Sequence, residues 1–274
     1  MSNAIIIICI YTFIIHLTES LVYTMRYAGI KTKQIAIALS FVTTALLVSR
    51  LSNMIQAAFL GNMVDKTVNI GTITALAQLE GAFRLFIFIS FIGSLVGLFF
   101  APTMTILLQK LIKRFLISGS FPKVLLSAFH PRNIIKIINS FQLPKPSHFK
   151  GIQLKTLPKS FLIFNIFVTA IYTIGVLCAL LAGAYLPELR ATAIQLSGIV
   201  NGIATILFAL VVDPSGARIT DQAAHGNRPE SDVKSVVFFL ICGRLIGTLI
   251  IAQLLLLPLT QWVMWVTTIV STYF

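Results

Sequence analysis

The stretch from Gln34 to Val64 carries one charge, Arg50, set in "LVSRLSNMIQAAFLGNMVD". At about 1.5 Å of rise per residue a helix of this length crosses the ~30 Å hydrocarbon layer of a bilayer. Other apolar runs of similar length follow along the chain. A sequence with 57% hydrophobic residues, 11% charged residues and a mean hydropathy of +0.93 does not describe a soluble domain of 274 residues. Backbone polar groups in lipid must be satisfied within the spanning segment, and the runs are continuous where barrel strands would alternate, so the reading is all-α. Six spans are expected, roughly at 3–25, 34–60, 84–110, 160–186, 191–212 and 235–258. The first lacks a basic leader and a small-residue cleavage site, so it is expected to stay in the mature chain.

The segments between spans differ in charge. Arg26, Lys31 and Lys33 follow span 1, ten Lys/Arg lie between Lys110 and Lys159, and Arg218, Arg228 and Lys234 follow span 5. The alternate segments and both termini are poor in base. The positive-inside rule then puts the base-rich segments in the cytoplasm and both termini outside, with Trp262, Trp265 and Tyr273 at the outer interface. Between Gly81 and Pro187 there are eleven Lys/Arg and no carboxylate. In "FPKVLLSAFHPRNIIKIINSF" base and apolar residues interleave around Pro131, as in short helices lying on anionic lipid, and nucleic acid is not an expected partner. Ordinary positive-inside topology with a mobile loop explains the same charges.

A weak internal resemblance divides the chain into residues 1–114, a basic loop at 115–159, and residues 160–274. "FIGSLVGLF" in span 3 matches "ICGRLIGTL" in span 6 through Gly93/Gly97 and Gly243/Gly247, and a basic residue stands nine positions before each first glycine, Arg84 and Lys234. Spans 2 and 5 both end on aspartate, Asp65 and Asp213. Three spans per half would invert one half relative to the other, a construction common in transporters.

Ionisable residues inside a bilayer cost ~2.5 to 3.5 kcal/mol each near its centre, so each needs a partner or a hydrated cavity. In span 1, His16, Glu19, Tyr23 and Arg26 recur at spacings that share one helical face. In span 2, Arg50 and Asn53 share a face, with Gln56 slightly offset. Arg244 lies deep in span 6, and Arg190 and Asp213 bracket span 5. One reading is mutual neutralisation, Glu19 pairing with Arg50 or Arg244 as a structural lock. The other is an anion site, because two intramembrane arginines face a single clearly intramembrane carboxylate and guanidinium forks match phosphate oxygens. Under that reading Arg50, Asn53, Arg244 and Arg26 bind the anion, and His16, Glu19 and Asp213 balance or couple charge.

Enzyme chemistry has little to stand on. "HLTE" sets His16 and Glu19 one turn apart like half of a metal site, but His130, His148 and His225 lie in loops, so neither metal nor cofactor is expected. No nucleophile triad, nucleotide loop or paired catalytic aspartates occur, and "VVDPSGARITDQAAHG" reads as a turn. Cys9, Cys178 and Cys242 read as small buried hydrophobes.

"HLTESLVYTMRYAGIKTKQIAIALSF", "LVSRLSNMIQAAFLGNMVD", "LRATAIQLSGIVNGIATILFALVVDPSGARITDQ" and "CGRLIGTLIIAQLLLLPL" resemble the Amj family of bacterial membrane proteins, the alternate lipid II flippases. The resemblance covers nearly the whole chain and is weakest at 115–160. It implies a protein of the bacterial cytoplasmic membrane that exports the undecaprenyl-diphosphate-linked peptidoglycan precursor for cell-wall synthesis, with lipid II as its partner. Two alternatives stay open: a translocase of another anionic lipid such as undecaprenyl phosphate, and a non-transporting scaffold whose basic loop recruits cell-envelope enzymes.

Overall fold

The structure, a computed structural model, describes residues 2–128, 130, 133, 135 and 138–273. The expected break at Pro131 lies outside the described residues. Six helical spans are long and apolar enough to cross a membrane: span 1 (Asn3–Thr32), span 2 (Ile35–Ile70), span 3 (Ile73–Ser118), span 4 (Lys159–Tyr185), span 5 (Pro187–Ala224) and span 6 (Glu230–Tyr273). The described residues are otherwise short helices and turns, and no strand occurs among them.

Most spans extend beyond the apolar windows read from sequence. Span 3 begins eleven residues before Arg84, runs 46 residues to Ser118 and so takes in the start of the basic loop at 115–159. An apolar window marks only the part of a helix that lies in hydrocarbon, while the helix continues until the backbone is made to turn. Gly71 and Gly119 supply those turns at φ values of 64° and 62°, where a side chain would be strained. Between spans 2 and 3 the Thr72 hydroxyl accepts from the Ala75 amide and caps the new helix.

Span 1 packs between spans 2 and 3, and span 4 packs between spans 5 and 6. Both arrangements rest on glycine notches. A Cβ on Gly93 would stand 2.8 Å from the Phe13 carbonyl oxygen and one on Gly97 2.6 Å from Ser20 Cβ, so span 3 lies directly on span 1. A Cβ on Gly247 would stand 2.6 Å from the Ile166 carbonyl oxygen, and one on Gly243 would overlap the Asn165 amide. Lipid supplies no hydrophobic drive between helices, so close backbone approach through small residues is what holds such pairs.

Burial is unequal. The apolar part of span 4 is 67% buried, whereas those of spans 2 and 5 are 22% and 17% buried. At the end bearing Asp65 and Arg190, one apolar core joins residues of all six spans, among them Ile8, Leu60, Phe83, Leu181, Leu196 and Leu256. At the end bearing the basic loop there are two separate cores. Phe41, Leu108 and Ile112 centre the one in spans 1 to 3, and Phe161, Val236 and Leu240 centre the one in spans 4 to 6, which also takes in Ile30.

Candidate functional site

Spans 1 and 2 run antiparallel and are joined by two polar rungs seven residues apart on each helix. Gln56 Nε2 donates to Thr12 Oγ1 at 2.6 Å, and Ser49 Oγ donates to Glu19 Oε1 at 2.9 Å. Helical periodicity puts Ser49, Ser52 and Gln56 on one side of span 2, and all three are buried. Their spacing in sequence was the available signal for this polar seam. It was overlooked because neighbouring Arg50 carries the charge.

The second rung ends in a buried cluster. Arg244 of span 6 donates from Nη2 to Glu19 Oε2 at 2.7 Å and to His16 Nδ1 at 3.0 Å. A guanidinium can only donate, so in this arrangement His16 accepts through Nδ1 and carries its ring proton on Nε2, uncharged. The Arg244 side chain is 7% exposed and that of Glu19 31%. Thr248 donates to the Arg244 carbonyl at 2.7 Å, and Arg244 Nε is buried without a hydrogen-bond partner among the described residues. His16 lies about 20 Å along the helix from Asn3, at ~1.5 Å per residue, which is close to mid-membrane. The residues that sequence reading set out as half a metal site thus meet an arginine. No group of three metal-ligating side chains occurs among the described residues.

Two further ion pairs link the halves, and they are reciprocal. At the loop-bearing end Arg26, just past the first segment of span 1, pairs with Asp213 of span 5. At the opposite end Arg190, which opens span 5, pairs with Asp65 of span 2 at 2.9 Å. The two aspartates singled out as matching positions each pair with an arginine from the other group of three spans. Lys31 with Glu230 adds a bridge at the loop-bearing end. A single π-helical turn adjoins a charged residue in two spans: Phe208–Val212 precedes Asp213, and Gly247–Ile251 closely follows Arg244. Such turns loosen the helix and recur at functional sites.

Arg50 and Asn53 do not join the cluster. One residue of helix rotates the side chain by about 100°, so while Ser49 faces Glu19, Arg50 and Asn53 stand on the exposed side of span 2. Their neighbours there include Leu47 (51% exposed), Leu51 (60%) and Met54 (71%). Arg50 has no ion pair and no side-chain hydrogen bond among the described residues. Among the described residues Arg50 and Arg244 are therefore not brought together: Arg244 is inside and paired, and Arg50 is exposed and without an ion pair at a similar depth. Asn165, which sequence reading passed over, is buried in span 4 and donates to the Leu240 carbonyl at 3.1 Å, tying spans 4 and 6 together.

The family described as Amj, Alternate to MurJ, matches residues 11–267. The lipid II flippase Amj of Bacillus subtilis (strain 168) is 34% identical over 267 residues, covering 97% of each chain. No solved structure matches.

Proposed function

The chain belongs to the Amj family, and from that premise we propose that it is a lipid II flippase, carrying the undecaprenyl-diphosphate-linked precursor from the inner to the outer leaflet of the cytoplasmic membrane. The observation that carries this reading is Arg50: an arginine at the depth of the Arg244–Glu19 pair, on the exposed side of span 2, with no carboxylate partner among the described residues. A cation so placed is costly, at ~2.5 to 3.5 kcal/mol on insertion scales, unless water or a passing anion reaches it. A diphosphate whose tail stays in the bilayer supplies that anion along the exposed face of span 2. The Arg50 fork grips two of its oxygens, and Asn53 adds a hydrogen bond one turn away.

Transport is by alternating access between two inverted halves, residues 1–114 and 160–274. The matching glycine notches and the reciprocal Arg26–Asp213 and Arg190–Asp65 pairs support this reading. The two pairs act as gates at opposite ends. The joined core at the Asp65 end and the divided cores at the loop-bearing end match a state closed outside and ready to part inside. Arg244, Glu19 and His16 form the lock between the halves. A proton arriving on His16 Nδ1 would turn an acceptor into a second donor facing Arg244 and open it, which couples movement to protonation. Both termini lie outside, and the loop at 115–159, with exposed Leu126, Ile138 and Phe149 beside its lysines, rests on anionic lipid of the inner leaflet.

Flippase-dependent growth tests this in cells depleted of their own lipid II flippases. Arg50→Ala is expected to reach normal membrane abundance and fail to support growth, with Arg50→Lys retaining part of it. An abundant Arg50→Ala protein that supports growth would remove Arg50 from the path. Impermeant thiol reagents should modify Asn3→Cys and spare Ser140→Cys in intact cells; the reverse pattern would overturn the topology. If undecaprenyl phosphate displaced lipid II from the solubilised protein at equal concentration, the alternative cargo would be favoured. Growth surviving Arg50→Ala but not deletion of residues 120–155 would favour the scaffold.

A further inference from the structure

At the loop-bearing end, a cavity of about 480 Å³ opens between the linker before span 4, the last turns of span 5 and the turn into span 6. We propose that it binds the phosphate or diphosphate group of a membrane lipid, and so gathers the head group at the inner leaflet before it meets Arg50. This rests on the flippase reading for its place in the cycle, though not for the binding itself.

Three cations line the cavity, Lys155, Arg218 and Arg228, and no carboxylate lines it. Among the other bases at this end, Arg26 is engaged by Asp213, Lys31 by Glu230, and Lys234 by the Lys150 carbonyl at 3.2 Å. By contrast, Arg218 and Lys155 have no ion pair and no side-chain hydrogen bond among the described residues. Arg228 is held only loosely, 3.5 Å from Asp232 and 3.4 Å from the Thr156 carbonyl, which leaves part of its fork for a ligand. Ser215, Arg218 and Gln222 recur on one face of span 5, so that helix presents a hydroxyl, a guanidinium and an amide to the same space. Guanidinium and ammonium donors converging on one cavity suit phosphate oxygens, which accept two parallel bonds from each arginine.

A lipid fits better than a soluble phosphate. The cavity adjoins the end of a helix whose exposed side is apolar over Ile199, Ile203, Ile206 and Leu210, a stripe at alternating spacings of four and three that runs toward it. A tail lying on that stripe keeps its head group at the cavity.

Binding to the purified full-length chain in detergent tests the proposal, with farnesyl diphosphate, inorganic pyrophosphate and farnesol as probes. Farnesyl diphosphate is expected to bind most tightly, pyrophosphate more weakly and farnesol not at all. Arg218→Ala should weaken farnesyl diphosphate roughly tenfold and Arg218→Ala with Lys155→Ala roughly a hundredfold, as loss of charge-assisted hydrogen bonds predicts. Arg218→Lys should fall between wild type and Arg218→Ala, and Lys66→Ala, at the opposite end, should bind as wild type. All these positions are exposed, and unchanged melting temperatures confirm that folding is intact. Wild-type affinity in the double variant, or no diphosphate binding by the wild type, would overturn the site. Pyrophosphate binding as tightly as farnesyl diphosphate would overturn its lipid character. None of these results depends on growth. An Arg50→Ala protein that supports growth would sink the flippase path and leave this pocket standing.

Discussion

Ser49 and Arg50 are consecutive residues of span 2, yet they belong to two regions that solve the problem of a buried polar group in opposite ways. Ser49 turns inward to a cluster in which Arg244 of span 6 donates to Glu19 and His16 of span 1. Arg50 turns outward to a face of leucines and methionine, with no ion pair or side-chain hydrogen bond among the described residues. The first region holds the halves of the molecule together and neutralises its charge internally. The second leaves Arg50 without an ion pair among the described residues, which is why the proposed function gives it a counter-charge from outside the chain. An intramembrane arginine is thus a functional signal in proportion to what it lacks.

Substitutions can break or sharpen this contrast. The largest effect is expected from Glu19→Ala, which strands Arg244 inside the bundle. Loss of one partner of a buried pair costs about 3 to 5 kcal/mol, so membrane abundance should collapse. Glu19→Ala combined with Arg244→Leu removes both charges and should restore abundance, read by quantitative immunoblot, without restoring growth if the cluster is the coupling lock. Recovery of growth in the double variant would reduce the cluster to a structural clasp. Next comes Arg50→Ala, for which the order reverses: abundance is kept and flippase-dependent growth is lost. Ser49→Ala removes one hydrogen bond to a carboxylate, worth about 1.5 to 3 kcal/mol for a charged acceptor. It should lower the melting temperature in detergent while growth persists; lost growth at normal stability would mean that the inward face also serves transport. The smallest effect is expected at Gly198, where an added Cβ meets nothing within 4 Å. Gly198→Ala should change stability by less than about 0.5 kcal/mol, as for surface positions generally. Gly97→Ala, 2.6 Å from Ser20 Cβ, should by contrast cost about 1 to 3 kcal/mol in forced separation of spans 1 and 3.

Much of the architecture was legible along the chain, because span length and continuity follow from bilayer thickness and from the need to satisfy the backbone. The six spans, the glycine notches and the aspartates Asp65 and Asp213 could all be read in this way. Charge partners were less accessible. Glu19 had two candidate arginines, Arg50 and Arg244, and nothing in spacing chooses between residues on different helices. The Arg26–Asp213 and Arg190–Asp65 pairs each join residues from opposite halves, more than a hundred positions apart, and the three walls of the Lys155–Arg218–Arg228 cavity come from separate segments.

By itself the sequence determined that this chain is helical, that it crosses the membrane six times, and which residues would have to answer for their charge inside it. Only the tertiary structure decided which side of each helix faces its neighbours. In a soluble helix the apolar stripe announces the inward face, but in a bilayer the outside is as apolar as the core. Span 2 is therefore hydrophobic on both sides of Ser49 and Arg50, and helical period fixes the angle between those two residues without saying which of them points in. That choice was made by Glu19 and Thr12 on span 1, which offered partners to Ser49 and Gln56 and so left Arg50 on the exposed side.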